Sequence, residues 1–245
     1  MAFREEMGRR VLVADGAMGT MLYSRGVFIN RCFDELNLSA PDMVRQIHLE
    51  YAEAGAEIIK TNTFGANRLR LAGFSFVEKM RAINEAGVRL AKEATKDAAF
   101  VGATIGPLGV HLEPFGPTSF AEARAIFREQ AEALIAAGAD LLILETFTNL
   151  NELREAVFAA REAAGDGPVV IAQVAVDDFG RLPGGTSIET IVNAVNDWPA
   201  DVFGFNCSVG PKAILEAVEQ AIHYSSKPLS AIPNEIGRAS CRERV

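Results

Sequence analysis

Seven short apolar runs rich in Val, Ile and Leu punctuate the chain, at residues 11–14, 57–61, 100–105, 140–144, 169–176, 201–205 and 229–232. They are continuous instead of alternating, the pattern of strands covered on both faces of a parallel sheet. Longer segments of helical period lie between them. Residues 42–54 carry Val44, Ile47 and Tyr51 on one stripe, and residues 120–137 and 214–224 behave similarly. Ser119 with Glu122, and Thr186 with Glu189, read as capping boxes that start helices. Strands that alternate with helices in this way predict an α/β fold.

An internal echo narrows the choice. Residues 54–64 read AGAEIIKTNTF and residues 137–147 read AGADLLILETF, 83 positions further on. That spacing is about two βα units of roughly 30 to 45 residues each. Polar residues recur at the strand ends all along the chain, not at one switch point, which favours a TIM-type (β/α)8 barrel over a doubly wound sheet. Seven strands leave such a barrel one short, so the expectation is a barrel truncated after about seven strands. Residues 1–234 form the barrel domain in this reading. The segment EIGRASCRERV, residues 235–245, resembles the translation of a sequencing-library adapter and reads as a non-native tail. Cys241 within it therefore carries no functional weight.

Of the 245 residues, 49% are hydrophobic and 23% charged, enough apolar material for one large core. The formal net charge of −8 argues against a nucleic-acid or anionic-membrane surface. No apolar run approaches the roughly 18 residues of a membrane span, and the start lacks a signal-peptide core. Three widely spaced cysteines, Cys32, Cys207 and Cys241, do not make a secreted disulfide framework. A cytoplasmic setting follows as the expectation.

The strand ends carry the candidate chemistry: Asp15, Asn62, Thr104, Glu145, Gln173, Asn206 with Cys207, and Asn234. Burying a polar group unpaired costs about 1–3 kcal/mol, so this recurrence suggests a pocket for a small zwitterion. In the first loop, DGAMGT, the residues are Asp15, Gly16, Ala17, Met18, Gly19 and Thr20. Its glycines allow close backbone approach, and its N–H groups could hold a carboxylate. Such loops are also plain turns, and Asp15 can equally cap the next segment. Asn62 and Glu145 occupy equivalent places in the echo. A carboxylate there can pair with an ammonium group, or be satisfied by loop backbone. A lone cysteine such as Cys207 is either a small buried hydrophobe or a ligand. His48, His111 and His223 show no zinc-finger spacing.

Five motifs occur in order: DGAMGT, an ETNTF-like KTNTFGAN, LLILETF, GFNCSVGP and the dipeptide Pro233–Asn234. Together they resemble the homocysteine S-methyltransferase family, over about residues 11–234. The stretch RGVFINRCFDELNLSAPDMV is most similar to bacterial long forms fused to folate-handling modules. The resemblance implies a zinc ion held by three cysteines, the first matching Cys207. The other two form an adjacent pair at the eighth strand, which lies past this chain. It further implies that Asp15 to Thr20 and Glu145 hold homocysteine, with Asn62 and Asn234 lining the same pocket.

In the implied chemistry a free thiol, with a pKa of about 8.5, is mostly protonated at neutral pH; zinc displaces the thiol proton of homocysteine, and the thiolate accepts a methyl group to give methionine. Methylcobalamin supplied by methyltetrahydrofolate, S-methylmethionine and betaine all stand as methyl donors. With one of three cysteines, the 245-residue chain itself is expected to be inactive. Two rivals remain at this point. One is a lyase or aldolase barrel using Asp15, Asn62 and Glu145 for proton transfer. The other is a non-catalytic amino-acid-binding module.

Overall fold

The computed structural model describes residues 3–96 and 98–234; the tail from residue 235, Cys241 included, lies outside the described residues. Six parallel strands form one sheet in sequential order: β1 (Ile58–Lys60), β2 (Phe100–Ile105), β3 (Leu141–Phe147), β4 (Val169–Val174), β5 (Val202–Asn206) and β6 (Leu229–Ile232). Each pairs with the next in parallel, Ile58 opposite Phe100 and Phe203 opposite Leu229 at the two ends. Helices intervene, including Met80–Thr95, Phe120–Ala136, Leu150–Ala164 and Ile188–Asn196. The architecture is a curled portion of a TIM-type barrel, as the alternation of runs predicts.

Alternation along each strand explains the curl. Ile58, Leu141, Ile143, Val169, Ile171 and Val202 converge in one cluster with Phe3 from the helix Phe3–Met7. The sheet is concave on that side, as the approach of Lys60 on β1 to Glu145 on β3 shows. The intervening residues, among them Ile59, Val101, Leu142, Val170 and Phe203, pack outward in the large cluster shared with the helices. Both faces are apolar, hence the unbroken hydrophobic runs in the sequence.

The echo has a structural basis. Gly55 and Gly138 both take positive φ, 95° and 91°, just past the helices Pro41–Glu53 and Phe120–Ala136. A side chain is strained there, so glycine ends each helix and turns the chain into a strand three residues later.

Two local expectations need correction. Residues 11–14 do not form a regular strand; a single parallel bridge joins Ala14 to Ile58. The segment still runs beside β1, with Ile58 N–H donating to Val13 O at 3.1 Å and Asp15 N–H to Ile58 O at 2.9 Å. The Glu57 carboxylate takes the Val13 N–H (3.1 Å), which interrupts the backbone ladder. Further along, Ser187 and not Thr186 caps its helix, accepting from Thr190 N–H at 3.3 Å. Thr186 is held in the preceding turn, where its carbonyl accepts from Leu182 N–H. Ser119 caps as expected, accepting from Glu122 N–H at 3.1 Å.

Candidate functional site

Counting two residues on from the last inward apolar side chain of β1, β3 and β4 leads to the carboxyl end of the sheet and to a change of chemistry. Ile58 is followed by Lys60, Ile143 by Glu145 and Ile171 by Gln173. Thr104 follows Gly102, where an added Cβ would stand 2.6 Å from Ile143 Cδ1. An apolar floor thus gives way to a buried polar layer at the face where barrels of this type place their sites.

The charged part of that layer is a triad. Lys60 Nζ lies 3.5 Å from Glu145 Oε2 and 4.0 Å from Asp15 Oδ1. Asp15 Oδ2 accepts from the Lys60 backbone N–H at 2.9 Å, while Asp15 Oδ1 is buried without a hydrogen bond. Burial pushes the Asp15 carboxyl up to about 7, against the opposing pull of the Lys60 ammonium. For Lys60, burial works to lower the pKa, but Glu145 and Asp15 outweigh it, and the net shift is upward. With all three groups ionised the cluster carries one uncompensated negative charge, so it suits a cation.

Asn62 turns its amide toward the loop above it, donating to Phe33 O at 2.7 Å and Asn37 Oδ1 at 3.1 Å. Thr104 Oγ1 donates to Thr61 O at 2.9 Å. Gln173 Nε2 donates to Ser230 Oγ at 3.0 Å, leaving its buried Oε1 without a partner. In the first loop, a Cβ on Gly16 would meet Tyr51 Oη at 2.7 Å, so only glycine lets the ring lie there. Tyr51 Oη donates to Ala17 O at 3.2 Å, and Met18, Gly19 and Thr20 open the helix Met18–Ser24.

Backbone strain marks the other strand ends. Thr146, directly after Glu145, has φ 65°, and Cys207 and Ser208 have φ 59° and 62°. For a β-branched residue this region is a genuine outlier, and it persists only where the surroundings hold it. Asn206 does so for Thr146, accepting from its N–H at 2.7 Å and donating to its Oγ1 at 2.8 Å. Cys207 is held through its own N–H, which donates to Ile232 O at 3.0 Å; Asn234 N–H donates to Val209 O at 3.0 Å. Among the described residues, no group of three or more His, Cys, Asp or Glu could hold a metal ion. Cys207 alone does not make a metal site.

Sequence reasoning passed over Lys60 and Thr146. Lys60 was detectable: a lysine two positions past an inward isoleucine must either leave the barrel or find carboxylates. Nothing in the sequence marks Thr146, because its conformation is imposed by Asn206, sixty residues away.

The family model described as homocysteine S-methyltransferase matches residues 12–244. The chain is 31% identical over 243 residues to a methionine synthase of Mycobacterium tuberculosis, covering 93% of this chain and 20% of that protein. A methionine synthase of Mycobacterium leprae is likewise 31% identical, covering 94% and 20%. The chain therefore spans about a fifth of the length of these curated relatives. Among solved structures it resembles the homocysteine methyltransferase MmuM from Escherichia coli. The metallated form gives a TM-score of 0.80 at 25% identity, over 92% of this chain and 84% of that one. The oxidized form gives 0.82 at 25% identity, over 95% and 85%.

Proposed function

This chain belongs to the homocysteine S-methyltransferase family, and we propose that residues 1–234 are the homocysteine-binding barrel domain of a methyl-transferring enzyme. The observation that carries the reading is the buried carboxylate pair, Asp15 and Glu145, at the polar end of the barrel. In this proposal Glu145 receives the α-ammonium of homocysteine. The first loop, Asp15 to Thr20, closes on the amino-acid end, and Asn62 and Asn234 line the pocket. The thiol is directed toward Cys207. There the S–CH3 bond forms as the bond from methyl to its donor breaks, the thiol proton passes to solvent, and methionine and the demethylated donor are the products.

Zinc belongs to the same proposal, with Cys207 as one thiolate ligand. The chemistry of a cysteine pinned at a strand end suits that role. The described residues do not complete the ligand set. The methyl donor is methylcobalamin recharged by methyltetrahydrofolate, S-methylmethionine or betaine, and folate-handling modules are the proposed fusion partners. A cytoplasmic location is proposed too; no helix of the described residues is long and apolar enough to cross a membrane.

Calorimetry on Glu145→Gln tests the reading. A hydrogen bond to a charged group contributes about 1.5–3 kcal/mol, so homocysteine affinity should fall by at least about tenfold. Equal affinity in the two forms would show that Glu145 does not receive the ammonium.

A further inference from the structure

Lys60 is the charged member of the polar layer whose presence the proposed chemistry does not require. Its side chain is 12% exposed and its head stands between Glu145, assigned to a ligand's amine, and Asp15 of the loop that closes on the amino-acid end. Neither contact is tight. Charge-assisted N–H···O bonds close at about 2.7–2.9 Å, whereas Nζ stays 3.5 Å from Glu145 and 4.0 Å from Asp15. The head is shared between the two carboxylates and locked to neither, and Asp15 Oδ1 remains without a hydrogen bond. A lysine head and an α-ammonium are the same chemical group, a compact cation with three donors. The net charge of −1 that Lys60 leaves attracts a further cation. Two such cations crowded onto the same oxygens nevertheless repel each other in a site shielded from water, and moving the lysine head away relieves that repulsion. The four-carbon stem of lysine, rooted at the end of β1, allows the head to swing away from the carboxylates.

We propose that Lys60 fills the ammonium position in the free chain and is displaced from Glu145 and Asp15 by the ammonium of an amino-acid ligand, so that it lowers the site's affinity for amines while leaving ligands without an amine unaffected. The inference rests on the reading that Glu145 receives the ligand's amine. Its consequence runs against the usual result of deleting a residue from a binding site: removing Lys60 tightens binding. A ligand without an amine does not compete for the position and is indifferent to the change.

Calorimetry on the intact chain tests this with L-homocysteine and with 4-sulfanylbutanoate, which lacks the amine. Lys60→Met and Lys60→Gln should each bind homocysteine tenfold or more tightly than the unmodified chain, and 4-sulfanylbutanoate within threefold of it. Unchanged homocysteine affinity overturns the proposal by making Lys60 structural, and weaker affinity overturns it by making Lys60 an anchor for the ligand. Should both variants fail to fold, the unmodified chain decides. Homocysteine must then speed reductive dimethylation of Lys60, followed by peptide mass spectrometry, at least fivefold; an unchanged or slower rate overturns the proposal. If no form binds homocysteine, the homocysteine reading has failed, and butylammonium judges the lysine separately. Tighter binding of butylammonium to Lys60→Met supports displacement, and equal or absent binding overturns it.

Discussion

His48 shows how much a single buried side chain can bias the molecule. It sits on the helix Pro41–Glu53 with 0% exposure, and neither ring nitrogen has a hydrogen-bond partner among the described residues. Burial alone lowers its pKa to about 4, from an ordinary value near 6.5. Between those values the unfolded chain binds the proton and the folded chain does not, so stability falls as pH drops from about 6.5 to 4. The full effect is about 3 kcal/mol. Asp15 and Asp34, raised by burial to about 7 and about 6, act in the opposite sense, because the folded chain holds their protons over part of the same range. The His48 contribution is therefore read as the difference between the urea-denaturation profiles of the unmodified chain and His48→Leu. That difference should grow steadily on acidification through this window. A difference independent of pH would mean that the imidazole is not buried in its neutral form.

At the scale of elements, close approach and capping hold the sheet and its helices in place. Gly204 lies on β5, where an added Cβ would stand 2.1 Å from both the carbonyl oxygen and Oγ of Ser230 on β6. Overpacking of this kind costs typically 1–3 kcal/mol and sometimes more. Gly204→Ala should lower the urea midpoint by at least the equivalent of about 2 kcal/mol and speed hydrogen exchange at the β5–β6 pairing; protection unchanged from the parent would contradict it. Asn149 starts the helix Leu150–Ala164, its Oδ1 accepting from Asn151 and Glu152 N–H at 2.9 and 3.1 Å. Loss of such a cap costs about 1 kcal/mol, so Asn149→Ala should be mildly destabilising with homocysteine affinity intact. Asn206→Ala should behave differently. It releases Thr146 from its strained conformation, and because Thr146 follows Glu145, homocysteine affinity should fall together with stability. A loss of stability with unchanged affinity would make the Asn206–Thr146 contact purely structural.

For the whole molecule the decisive measurement is metal content. Cys207 is the proposed zinc ligand, and the described residues gather no set of three around it. After dialysis against low micromolar zinc, the 245-residue chain should retain no more metal than Cys207→Ala does. One tightly held zinc per chain, lost in Cys207→Ala, would mean that residues outside the described set complete the site.

Much of this molecule follows from local pattern. Continuous Val, Ile and Leu runs between amphipathic segments determine a parallel sheet under helices, since strands covered on both faces need apolar side chains on both. Paired glycines after helix ends determine the echoed βα units, since only glycine takes that φ without strain. The polar residues closing each run mark the functional face, and five motifs in order mark the family. Other features arise only when distant parts of the chain meet. Glu57 breaks the first ladder by capturing the Val13 N–H, and Asn206 on β5 bends Thr146 on β3. Lys60 becomes a member of the site only because the concave sheet carries β1 within reach of Glu145 on β3. Propensity and period are properties of neighbours along the chain, whereas an ion pair or a strained backbone is decided by what curvature brings across the barrel.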